Sequence, residues 1–184
     1  MPGREIQERI LPRTGGTGRG GAGVGGYRYR GVLKPDPDTA RAQQALATLA
    51  QLRTSIALRS SRVRALTAEL GDCVAQAVCD GVKVAAVAKA AGLPAASIRS
   101  AALARGDLYP SGQSRSGHLH VIAGLVSELA VAEGARSAAE EERAQVLALA
   151  RKSRLLDDYQ LAGASGLKSD EIRKVTRGVG LRVA

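Results

Sequence analysis

Ala88 to Arg99 reads A-K-A-A-G-L-P-A-A-S-I-R, and Ala162 to Arg173 reads A-G-A-S-G-L-K-S-D-E-I-R. A shift of 74 residues lays one stretch over the other without a gap. Ala88 falls on Ala162, Ala90 on Ala164, Gly92 on Gly166, Leu93 on Leu167, Ile98 on Ile172 and Arg99 on Arg173. Upstream, Arg41 falls on Arg115. Matches at one fixed offset are the mark of an internal repeat, so the chain reads as two copies of one plan.

The matched positions share a physical logic. A helix that crosses a second one steeply needs a small side chain at the crossing, met by Ala88 and Ala162. The turn needs a residue that accepts positive φ four positions later, met by Gly92 and Gly166. An apolar residue then plugs the core (Leu93, Leu167), and the second helix pins itself inward through Ile98 and Ile172. Ala101 and Val175 are expected to complete the inner face.

In these respects each copy, Val84–Ala104 and Asp158–Gly178, resembles the helix-turn-helix of bacterial DNA-binding proteins. No particular family within that group is indicated. The resemblance implies that the second helix of each pair enters the major groove. The DNA-contacting residues expected on that basis are Ser97, Arg99 and Ser100 in the first head, with Lys89 beside them. In the second head they are Lys168, Ser169, Arg173, Lys174, Thr176 and Arg177. Arg173 is the candidate for a fork onto guanine, and Lys168, Lys174 and Arg177 would neutralise phosphates. Asp170 and Glu171 suit the start of a helix but repel phosphate. By residue type the second head is the richer reader. By charge the order reverses, since residues 37–111 hold nine basic and five acidic residues and residues 112–184 hold eleven and nine.

Before each head lies a longer helical stretch. Leu49, Leu52, Ile56, Val63, Leu66, Leu70, Cys73 and Ala77 recur at steps of three and four, interrupted only at Arg59. This seam fits a helix packed within its own chain or one paired across a homodimer. Gly71-Asp72 is a possible kink, and Asp38 is placed to cap the helix. In the second copy, Gly134 followed by Ser137 and Glu140 predicts a break into helices near 118–133 and 138–153. Arg105 to Gly117 is expected as a short loop, and Asp157-Asp158 as a helix cap. The expected architecture is therefore all-α: a flexible basic Gly-rich arm over 1–38, and helical modules over 39–111 and 112–184, each a long helix plus a helix-turn-helix head. A unit of this size with a Leu, Val and Ala core is marginal alone, so the modules should pack on each other or on a second copy.

The arm holds Gly15 to Gly31, G-G-T-G-R-G-G-A-G-V-G-G-Y-R-Y-R-G. Such a segment buries too little surface to offset its ordering entropy. Arg19, Arg28 and Arg30 equip it to follow a nucleic-acid backbone. Similar Arg-Gly tracts bind RNA, so the arm alone does not choose between DNA and RNA. Gly18, Gly20 and Gly23 match a dinucleotide-binding spacing, but no strand precedes them.

The whole chain of 184 residues carries a net charge of +10, and 21 of its 27 basic residues are Arg. That balance points to a polyanion, nucleic acid first. Only 2% of residues are aromatic, which argues against an aromatic-lined ligand pocket or a base-stacking sheet. No cofactor, metal, membrane or small-molecule ligand is expected. Neither a signal peptide nor a membrane span is read in the chain. Cys73 and Cys79 read as two small buried thiols, and His118 and His120 as solvated or capping residues. No nucleophile and base are paired along the sequence.

The expectation is thus non-enzymatic, sequence-specific binding of double-stranded DNA by a cytoplasmic, nucleoid-associated regulator of bacterial, phage or plasmid origin, working as a homodimer. The alternatives are an oligomeric phage or plasmid packaging or partition protein, and an RNA binder led by the arm.

Overall fold

The structure, a computed structural model, describes residues 36–106, 108–177 and 179. Residues 1–35 of the expected arm, with Arg19, Arg28 and Arg30, lie outside them, and its last residues, Pro37 and Asp38, belong to the first helix. Six helices follow in order: α1 (Pro37–Cys79), α2 (Val84–Ala91), α3 (Ala95–Leu103), α4 (Arg115–Ser153), α5 (Asp158–Ser165) and α6 (Ser169–Thr176). No strand occurs among the described residues, and none of their helices is long and apolar enough to cross a membrane. The fold class is all-α, as the sequence implies.

α1 and α4 run antiparallel along each other, and a short helix pair closes each end. At one end the C-terminal part of α1 (Leu66, Leu70, Val74) meets Ile122 and Leu125 near the start of α4. Val82, Val87, Ala91 and Ile98 of the first head complete that cluster. At the other end Leu49 of α1 meets Leu147 and Ala150 of α4, with Leu156, Leu161 and Ile172 from the second head. Between them lies a small cluster of Leu52, Ile56 and Ala139. Each end draws on both halves of the sequence. α1 packs on α5 as α4 packs on α2, and α1 on α3 as α4 on α6. The Leu49 to Leu70 seam is covered by this packing: Leu49 is fully buried and Leu66 is 1% exposed. The arrangement adopted is the one in which the two helical stretches pack on each other, and the seam is not left for a second copy.

Three local expectations are corrected. α1 starts before Asp38, with Asp36 at its N-cap position and Pro37 in the first turn, where a missing N–H costs nothing. Asp38 instead pairs with Arg41 at 3.3 Å. α4 does not break at Gly134. It runs from Arg115 because Ser114 caps it, accepting from Gly117 N at 3.1 Å. It continues past Gly134 because α1 is continuous opposite it, with Arg59 Nη1 donating to Ala135 O at 2.7 Å and Ala139 buried against Leu52 and Ile56. One mid-helix glycine costs only about 1 kcal/mol, less than the packing it would forfeit. Nor does Gly71-Asp72 interrupt α1. Arg105 lies over Gly71, its Nη1 at 3.3 Å from where a Cβ would stand, and pairs with Asp72.

The two head turns superpose in backbone conformation. Gly92 ends α2 at φ 64° and Gly166 ends α5 at φ 71°, each N–H donating back to Ala88 O or Ala162 O. Their surroundings differ. A Cβ at Gly92 meets nothing within 4 Å, whereas at Gly166 it would lie 2.8 Å from Arg53 Nε and 3.0 Å from Arg53 Cδ. Arg53 is held there, donating from Nη1 to Gly163 O at 3.2 Å. Gly92→Ala is therefore expected to cost about 1–2 kcal/mol, the left-handed penalty alone. Gly166→Ala should cost visibly more, because Arg53 must also leave. Urea denaturation of the two variants measures the difference.

Candidate nucleic-acid interface

Each head is an eight-residue helix, a three-residue turn and a second helix of nine residues in α3 or eight in α6. Ile98 and Ile172 are fully buried and fix the inner side of α3 and α6. Ala101 packs partly buried against the first cluster, and Leu167 against the second. Leu93 does not plug the core. It is 41% exposed, since Val87, Ala91 and Ile98 already close the cluster beside it.

On α3, Ser97, Arg99 and Ser100 are exposed, and so is Lys89 on α2. No carboxylate lies on α2 or α3, and Arg99 makes no ion pair among the described residues. This face is small-sided and positive.

The second head is built differently. Asp157 caps α5, accepting from Gln160 N at 2.7 Å while Gln160 Oε1 accepts from Asp157 N. Lys168 N donates to Glu171 Oε2 at 2.8 Å, so that carboxylate is committed to the start of α6. Lys168, Lys174 and Arg177 are exposed, and Ser169 is half-buried. Arg173 is outward but engaged: Nη2 is 3.5 Å from Asp158 Oδ2, and Nη1 is 3.7 Å from Asp170 Oδ1.

Thr176 and Val175 exchange the places expected of them. α6 turns inward at Ile172 and again four residues later, so Thr176 is half-buried and Val175 is at the surface. The Thr176 hydroxyl donates to Ile172 O at 2.8 Å and accepts from Arg151 Nη1 at 2.9 Å. It ties the head to α4 and is not presented outward. Arg151 also reaches Asp158, so α4, α5 and α6 share one polar network.

One buried cluster escapes sequence reasoning. His118 is not solvated. It is 3% exposed, and its Nε2 donates to Asp80 Oδ2 at 2.6 Å. Asp80 also accepts from Ser111 N at 2.7 Å, from the Ser111 hydroxyl, and from Gln76 Nε2 at 3.2 Å. The Ser111 hydroxyl holds the Asp80 carboxyl down to about 2, helped by Ser111 N, His118 and Gln76 and opposed by burial. A serine, an aspartate and a histidine thus meet, but the hydroxyl donates to the carboxylate and not to the imidazole. The serine is not activated as a nucleophile, which needs a base on its own proton. The cluster braces the end of α1 to the linker and to the first turn of α4. Cys79 adds to the brace, its Sγ donating to Leu108 O at 3.3 Å. Both cysteines are half-buried and free. Burial, then Glu69 and Asp72, push the Cys73 thiol up.

Buried residues beneath the two heads are set apart along both long helices. Leu49 and Val74 lie 25 residues apart on α1, and Ile122 and Leu147 are 25 apart on α4. At the helical rise this is about 37 Å. No protein-family model, no curated protein and no solved structure matches this chain.

Proposed function

We propose that this chain is a non-enzymatic, sequence-specific binder of double-stranded DNA that works as a transcriptional regulator. Its two helix-turn-helix heads would sit in successive major grooves of one duplex. The observation that carries this reading is the placement of the heads at opposite ends of the α1–α4 pair, with buried anchors beneath them, Leu49 and Val74 on α1 and Ile122 and Leu147 on α4, about 37 Å apart along each helix. That spacing is close to the 34–36 Å of one duplex turn. Two exposed second helices bearing Arg99 and Arg173, in a chain of net charge +10, support it. Since one chain carries both heads, two half-sites need no homodimer. Residence in the cytoplasm with the nucleoid follows from this reading.

Selection of bound fragments from random duplex DNA, with binding measured at two salt concentrations, tests it. Recovered sites should carry two conserved patches about one turn apart, and affinity should fall steeply with salt. Failure to enrich any sequence would overturn the proposal. On an enriched site, Arg99→Ala and Arg173→Ala should each cost about 1–3 kcal/mol and relax base preference in different patches. Equal losses on random and selected DNA would remove those two residues from base reading.

A further inference from the structure

We propose that Asp158 and Asp170 set the selectivity of the second head by holding Arg173 until a guanine replaces them. The inference rests on the DNA-binding reading above. Arg173 is 56% exposed and lies between the two carboxylates, at 3.5 Å from Asp158 Oδ2 and 3.7 Å from Asp170 Oδ1. The trio carries one positive and two negative charges, and Arg151, which shares Asp158, brings the network to zero. A phosphate approaching it gains no net attraction, so Arg173 contributes little to binding an arbitrary duplex. Guanine offers two acceptors, O6 and N7, in a fork that one guanidinium satisfies at once. A squarely facing guanine repays the release of both carboxylates with two in-plane hydrogen bonds.

The first head supplies the internal comparison. Shifted back by 74 residues, Asp158 becomes Val84, Asp170 becomes Ala96 and Arg173 becomes Arg99. The same arginine position there has no carboxylate on its own helix or on α2. The heads therefore divide the work. Both read bases, but the first also attracts any duplex through Lys89 and an unrestrained Arg99, whereas the second discriminates more sharply through a restrained Arg173.

Asp170→Asn is the cleaner test, because Asp170 is 96% exposed and packs on nothing, whereas Asp158 also holds Arg151. Affinity would be measured on a selected site, on that site with the Arg173-facing base changed, and on random duplex. Asp170→Asn should tighten random duplex about three- to fivefold, the range of an exposed ion pair, and tighten the selected site less. The preference for the correct base should fall by a similar factor. Ala96→Asp, which builds the same restraint in the first head, should do the reverse. Glu133→Gln, an exposed change midway along α4, controls for loss of one negative charge. If Asp170→Asn strengthens selected and random duplex equally, as Glu133→Gln should, the carboxylates only adjust overall charge and the inference fails. If the unaltered protein binds no duplex, the DNA-binding reading itself fails.

Discussion

Ile98→Ala and Ile172→Ala are each expected to lower the unfolding free energy by about 2–5 kcal/mol, the usual cost of truncating a buried isoleucine. Both side chains are fully buried, and each is the pin that holds its second helix. Ile98 sits among Val87, Ala91 and Ile122, while Ile172 sits among Leu147, Leu156 and Leu161. The two sets share no residue. The double variant should therefore lose the sum of the single losses to within a few tenths of a kcal/mol. Equilibrium urea unfolding of the three variants checks both the size and the additivity. A loss below 1 kcal/mol at either position would mean that the head is not anchored through its isoleucine.

The second large effect is expected at Asp80. Asp80→Asn keeps the shape but removes the charge that gathers His118, Ser111 and Gln76. Its melting temperature should fall by about 5–10 °C at neutral pH. The pH dependence has a defined sign. The folded carboxyl titrates at about 2, below the ordinary 3.8, so the folded state binds fewer protons than the unfolded chain between those values. The stabilisation is complete above about pH 4 and disappears as pH falls through about 2. The gap in urea midpoint between wild type and Asp80→Asn should narrow over that window. A gap that stays constant from neutral pH to about 2 would show that the carboxylate charge is not what the brace uses.

How far the fold was legible follows from where the information lay. The glycine turns and the inward isoleucines are set by local rules, and both repeats obey them at the expected residues. The Leu49 to Leu70 seam was equally plain, because its spacing is a property of one helix. What covers it was open, since periodicity records a buried stripe and not its partner. Antiparallel packing of α1 on α4 resolved that, and the same contact overrode the local break signals at Gly134 and Ser137. The Asp80–His118 pair was invisible for a related reason. The two residues are 38 positions apart and meet only because the end of α1 lies beside the start of α4. In α6 the misassignment was one residue wide. Ile172 was placed correctly, but the next inward position came four residues later, at Thr176, and not three later at Val175. The outward residues of the heads were legible as residue types. The pairing of Arg173 with Asp158 was not, because the two lie on different helices.

The thin stretch midway along the helix pair has a consequence for motion. There the contact rests on Leu52, Ile56 and Ala139, while Leu58 and Val131 stand 68% and 71% exposed. Backbone amides near Leu49, Val74, Ile122 and Leu147 should exchange with deuterium slowly, and those around Leu58 and Val131 should exchange sooner. Protection would then appear as islands at the two ends of each long helix, with local opening starting between them.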